Sequence, residues 1–229
     1  MKDEDDKGLD TRDRLLQAAG EIFARCGFKG ATVREISQCA GANIAAVNYH
    51  FGDKERLYTA VLEHTLSSVM KKYPPDLGVT PASTAEERLR AFIRSFLFRM
   101  LDEGRPAWHG ILMAREIADP TAALDHLIEK VIRPLYDHLA MIVKELLGGA
   151  KEGKNGDEAD RENEERIRLC SFSIMGQCLF YRHARHAISK IHPEKFEKGD
   201  IERLSEHIMR FSMAAIRELA EEPGIKNRD

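Results

Sequence analysis

Residues 32–56 read TVREISQCAGANIAAVNYHFGDKER, and their local chemistry describes two short helices joined by a glycine turn. Thr32 followed three residues later by Glu35 makes a capping box for the first helix. Val33, Ile36 and Ala40 share its inner side. Gly41 stands where a helix C-terminus calls for positive φ, and Asn43 caps a second helix running from Ile44 to Phe51. Ile44, Val47 and Phe51 form the inward face of that helix, leaving Ala45, Ala46, Asn48, Tyr49 and His50 outside. This is the form of a helix-turn-helix that lays its second helix in a DNA major groove.

The outer face has the chemistry for that task. Ala45 and Ala46 are small enough for close approach, and their methyls suit a thymine methyl. Asn48 has the paired donor and acceptor that adenine offers back. Tyr49, His50 and Lys54 reach for phosphate oxygens, and the amides beside Thr32 offer a helix N-terminus to another phosphate. Arg34 and Asn43 complete the expected DNA-facing set. The competing reading is a plain helical hairpin with incidental polar residues.

The preceding residues extend the pattern. Thr11–Cys26 has the period of an amphipathic helix with Leu15, Leu16, Ala19, Ile22, Phe23 and Cys26 buried, ended by Gly27–Phe28. Thr11 and the first helix, Gly27-Phe28, Thr32-Val33-Arg34-Glu35-Ile36, Ala40-Gly41, Tyr49-His50-Phe51 and Asp53-Lys54-Glu55-Arg56-Leu57 together resemble the TetR family of transcriptional repressors. The run from Asn43 to Gly52 is most similar to the CecR-like branch. Asn43 stands where most such sequences have Ser or Thr, and Asn48 where Tyr is common; both departures bear on the operator sequence. The resemblance implies a homodimer held by the last two long helices, a double-stranded DNA operator and a small organic effector.

Net charge is −3 over 229 residues, which is unusual for a DNA binder. Residues 11–58, however, hold seven Lys and Arg against five acids, a balance of +2. Much acid sits in the tail 1–10, at Asp3, Glu4, Asp5, Asp6 and Asp10, and that tail is expected to be disordered. No apolar run is long enough to span a bilayer and no signal-peptide pattern opens the chain, so a cytoplasmic protein with no membrane partner is expected. The four scattered cysteines fit a reducing compartment and a structural role.

Beyond residue 56 the pattern is helical throughout, giving an all-α fold of about nine helices. An N-terminal three-helix DNA-binding domain (11–56) precedes a larger effector-binding and dimerisation domain (57–222) and a short tail (223–229). Leu57–Lys72 is expected to connect them, with a linker at Pro74–Ser83 and a helix at Thr84–Leu101 interrupted by Gly104 and Pro106. After a short helix around Trp108–Ile117, Asp119-Pro120 is read as the cap and first residue of a long helix to Leu147, kinked at Pro134. A loop at Gly148–Asn163 precedes helices at Glu164–Ser189 and Asp200–Glu221. Each of these two carries a second apolar stripe beyond its own core: Phe172, Gly176, Phe180 and Ala187 on the first, Met209, Ser212, Met213 and Ile216 on the second. A two-fold four-helix bundle would cover both.

The effector pocket is expected among Phe98, Trp108, Met113, Arg115, Glu116, Tyr136, Gln177 and Tyr181, aromatic and thioether side chains with a few polar handles. Plain core packing is the alternative for each. His183, His186 and His192 read as a polar strip, so no metal and no cofactor is expected. No nucleophile elbow, P-loop, HExxH or dinucleotide fingerprint is present, which leaves an enzyme without support. A redox- or metal-responsive regulator and an all-helical small-molecule binding protein without DNA function stay open.

Overall fold

The computed structural model describes residues 10–101, 108–148, 157–192 and 198–221. Every regular element among the described residues is a helix. They are α1 (Thr11–Gly30), α2 (Val33–Cys39), α3 (Ile44–Phe51), α4 (Lys54–Lys72), α5 (Ala85–Leu101), α6 (His109–Ala118), α7 (Ala123–Leu127), α8 (Arg133–Leu146), α9 (Asp157–His183), α10 (Arg185–Ile191) and α11 (Lys198–Glu221). A π-helical turn, Ile128–Ile132, joins α7 to α8. None of these helices is long and apolar enough to cross a membrane. The acidic tail through residue 9, Gly104, Pro106, residues 149–156 and the tail 223–229 lie outside the described residues.

The chain forms two compact units, one from Met1–Lys71 and Glu103–Val131, the other from Lys72–Asp102 and Ile132–Asp229. The first therefore takes α4, α6 and α7 together with the expected 11–56 segment. Its core is built from Leu15, Leu16, Ile22, Phe23, Ile36, Val47, Leu57, Val61 and Leu62, all nearly inaccessible. Burial of each such side chain contributes about 1.5–3 kcal/mol, which makes this core the main support of the hairpin. Within it Gly20 faces Trp108: a Cβ there would fall 2.2 Å from the indole, so the small residue makes room for the ring.

The second unit packs α5 against α8, α9 and α11 around Leu89, Phe92, Ile93, Leu97, Leu139, Ile142, Val143, Ile174 and Ile208. Thr84 and Glu87 form a reciprocal capping box that starts α5. Arg94 is bidentate on Glu202, and Arg90 and Arg88 hold Glu206 and Glu145 at the rim. Such half-exposed pairs fix register more than they stabilise.

Several expectations change. Cys26 is exposed, because Gly27 leaves the helical path one residue later with φ 74°. Ile44 is 48% exposed: at the first position of α3 its side chain leans back past the helix end. Asp119 closes α6 through its amide on the Arg115 carbonyl, and its carboxylate takes Lys29. α7 begins instead at Ala123, whose amide donates to Thr121 Oγ1 at 3.1 Å. The helical run thus starts at Ala123 and continues to Leu146, with a π turn, Ile128–Ile132, just before Pro134, the residue that lacks an N–H. α9 starts at Asp157, well before Glu164. It stops at His183, with α10 separate from it.

On α11 the core line steps by four from Ile208 to Ser212, so Met209, Ser212, Met213 and Ile216 are buried within the unit. Phe211 on the same helix is 61% exposed. On α9, Phe172 and Phe180 are more than half exposed, with Leu169 beside them.

Candidate nucleic-acid interface

The hairpin closes as its sequence demands. Thr32 Oγ1 accepts from the Glu35 amide at 3.1 Å, but the Glu35 carboxylate takes Arg25 at 2.6 Å rather than completing the box. Gly41 adopts φ 60°, and the Ala42 amide reaches back to the Ser37 carbonyl at 2.9 Å, a C-cap that lets the chain reverse. Asn43 Oδ1 then accepts from the Ala45 amide at 2.9 Å and starts α3. Asn43, expected to face DNA, thereby spends its oxygen on the helix.

Val47 and Phe51 anchor α3, and Arg12 lies over the Phe51 ring at 5.4 Å. Ala45, Asn48 and Tyr49 are exposed, with Ala46 and His50 half-buried. Tyr49 stands out at 85% exposure, its ring edge-on to His50 at 5.0 Å. Among the described residues nothing takes the Asn48 amide, which stays available to a base edge. Arg34 is exposed on α2, and Gln38, one turn further, shares its face. Sequence reasoning passed over Gln38, although its i, i+4 spacing from Arg34 was the signal.

Lys54 is differently placed from expectation. Its ammonium donates to the Phe28 and Ala31 carbonyls, both at 3.0 Å, and sits 4.5 Å over the Phe28 ring. It clamps the start of α4 to the end of α1, leaving one N–H of three for a phosphate. Asp53 caps α4 through the Arg56 amide at 2.7 Å.

Behind this surface lies a buried polar cluster. Glu116 of α6 is 0% exposed and accepts from Tyr58 Oη, the Thr121 amide and Thr121 Oγ1, each at 2.8 Å. Burial and the neighbouring carboxylate push the Tyr58 phenol well above its ordinary value. Tyr58 also packs edge-on to Phe23 at 4.8 Å. Arg115 points elsewhere, donating to the Arg25 carbonyl at 3.2 Å.

The expected effector residues divide between the units. Trp108, Met113, Arg115 and Glu116 belong to the first; Phe98, Tyr136, Gln177 and Tyr181 belong to the second. Phe98 is buried and stacks on Tyr73 at 5.2 Å. Tyr136 packs on Phe172 and lines an open groove of about 700 Å³ between α8 and α9 with Met141 and Ile167. Gln177 donates to Ser212 at 3.4 Å. Among the described residues no group of three or more His, Cys, Asp or Glu side chains gathers to hold a metal.

Comparison with known proteins agrees with this geometry. Residues 15–61 match the family of bacterial regulatory proteins, tetR family, and residues 85–216 match the C-terminal domain of the HTH-type transcriptional dual regulator CecR. The chain is 30% identical over 190 residues to the dual regulator CecR of Shigella flexneri, covering 80% of each chain. It is 43% identical over 181 residues to the transcriptional repressor NicS of Pseudomonas putida, covering 78% of this chain and 79% of the relative. Its fold is similar to that of the transcriptional regulator FadR from Bacillus subtilis, solved with stearoyl-CoA, at TM-score 0.61 and 19% identity, covering 88% of this chain and 97% of that one. With a helix-turn-helix at one end and a family-specific helical body matching over more than half its length, the chain belongs to the TetR family of DNA-binding transcriptional regulators, in the CecR-like branch.

Proposed function

We propose that the protein is a homodimeric repressor that leaves a pseudo-palindromic operator when a small organic ligand binds its helical body. The observation that carries this reading is the bare outer face of α3, with Tyr49 85% exposed and Asn48 unengaged. Asn48 is the base-reading residue, supported by Ala45 and Ala46. Tyr49, His50, Arg34 and the amides at Thr32 position the helix on phosphates, with Lys54 contributing its remaining N–H. Residues 11–58, which carry the hairpin, have a balance of only +2, so one copy binds weakly and two are needed. The exposed Leu169, Phe172 and Phe180 of α9 and Phe211 of α11 supply the face that a second copy covers.

The repressor NicS and the acyl-CoA complex of FadR support the sense of control and the kind of effector. Ligand must favour the DNA-incompetent state to release the operator. α4 is the element through which that preference reaches α3, held to α6 by the Tyr58–Glu116 bond.

Footprinting on the DNA upstream of the protein's own gene tests the reading. The expected result is a symmetric protected site whose affinity falls steeply between about 50 and 200 mM salt. Asn48→Ala should change base preference, costing about 1–3 kcal/mol at one position of each half-site. Tyr49→Phe should weaken all sequences alike. The absence of sequence-selective protection, or the same response from both variants, overturns the assignment.

A further inference from the structure

We propose that Arg99 anchors the carboxylate of a small organic acid with an apolar body, bound within the helical core of the second unit. The inference deepens the reading of a small organic effector and rests on it. Arg99 lies on α5 and is 5% exposed. Its Nη1 donates to the Tyr73 carbonyl at 2.7 Å and to Ser95 Oγ at 2.6 Å, so that nitrogen is fully used. Its Nη2 is buried with no hydrogen-bond partner. The guanidinium sits 5.5 Å from the Phe96 ring, in a core that also holds Phe98 and Cys178.

No counter-ion offsets this charge among the described residues. Arg88 and Arg166 also carry an unbonded Nε, but each holds a glutamate. The ionisable neighbour of Arg99 is Cys178, and burial pushes that thiol up to about 12, so it is neutral at physiological pH. Burial also draws Arg99 down to about 10, which leaves it cationic at the same pH. A buried cation satisfied only by a carbonyl and a hydroxyl is an unfavourable arrangement unless something else completes it.

The chemistry of the complement follows. One unit of positive charge in apolar surroundings is neutralised by one carboxylate, whereas a phosphate dianion would leave a buried negative charge in its place. A pair of N–H groups on Nη2 matches carboxylate lone pairs. Half-buried Met100, Met175 and Tyr181 at the edge of the same core are side chains that can shift to admit an apolar body. The position is also useful for control. Arg99 already holds the carbonyl of Tyr73, the residue immediately after α4. Ligand occupancy and the end of the connecting helix therefore meet on one guanidinium.

The test uses full-length wild type, Arg99→Met and Arg99→Lys in calorimetric titrations with hexanoate, octanoate and benzoate, and with the matching amides. Hexyl phosphate and inorganic phosphate form a separate arm. At least one acid should bind wild type about tenfold more tightly than its amide, the size expected when a buried charged partner is matched. Arg99→Met should lose that preference while keeping amide affinity within about twofold, and Arg99→Lys should retain part of it. No preference for any acid in wild type, or a preference that survives in Arg99→Met, overturns the proposal. Binding of hexyl phosphate or inorganic phosphate in place of the acids overturns the carboxylate assignment. If Arg99→Met does not fold by circular dichroism, the wild-type acid-against-amide comparison and Arg99→Lys still decide. Operator release is read separately. An acid that binds through Arg99 without displacing operator overturns the release mechanism and leaves the site standing. An acid that releases wild type but not Arg99→Met supports both.

Discussion

Glu116 and Arg99 are both buried charges, one in each compact unit, and their surroundings are opposites. Glu116 accepts three hydrogen bonds from a phenol, an amide and a hydroxyl. Arg99 has one nitrogen fully used and another with no partner. A buried charge that is completely bonded fixes structure; one left incomplete is an unspent capacity for binding. The first unit therefore treats its charge as a joint between α4, α6 and the turn before α7. The second holds its charge where a complementary group would be strongly favoured.

The largest effect expected from breaking this contrast comes from Glu116→Ala. It leaves the Tyr58 hydroxyl and the Thr121 amide buried without an acceptor. Each charge-assisted bond contributes about 1.5–3 kcal/mol, so a loss of about 3 kcal/mol or more in urea unfolding is expected. A loss below about 1 kcal/mol would show that water takes over the site and that Glu116 is no more committed than Arg99.

Tyr58→Phe removes one arm of the joint and should cost about 1 kcal/mol, since the carboxylate keeps its two bonds to Thr121. Its pH signature is more telling. The phenol in the folded chain loses its proton only well above the ordinary value near 10, while the unfolded chain loses it there. Above pH 10 the unfolded state then binds fewer protons, and stability falls as pH rises. Denaturant midpoints measured upward from pH 9 should fall less steeply for Tyr58→Phe than for wild type. Equal slopes would remove the phenol from the joint.

The two sites also differ in how far the sequence revealed them. The hairpin was legible because its information is local: Thr32, Gly41 and Asn43 each act within five residues of themselves. Helix periodicity likewise located α5 and α11 to within a residue or two at their ends. What stayed hidden depended on partners distant in the chain. Asp119-Pro120 has the chemistry of a helix start, but Lys29, ninety residues earlier, takes the carboxylate. Nothing near Lys54 in the sequence shows that the carbonyls of Phe28 and Ala31 take two of its three N–H groups. Glu116 was anticipated as a ligand handle because Tyr58 gave no sign of meeting it. Arg99 was passed over altogether, since an arginine at the end of an amphipathic helix ordinarily belongs at the surface.

Cys178 offers the smallest and sharpest test of the contrast. If its thiol ionised readily, the thiolate would be the counter-ion of Arg99, and the second unit would hold a satisfied pair much as the first does. Burial argues otherwise: the thiol is 1% exposed and its pKa is pushed up to about 12. At pH 8 only about one part in ten thousand would be thiolate, the form that reacts. Cys26 and Cys39 are exposed, whereas Cys170 is buried along with Cys178. Titration of the native protein with a chromogenic disulfide at pH 8 should therefore show two fast thiols, identified by mass spectrometry as Cys26 and Cys39. The other two should appear only on adding denaturant. Fast labelling of Cys178 in the native chain would make it an accessible thiolate beside the guanidinium, give Arg99 the partner it otherwise lacks, and erase the difference between the two buried charges.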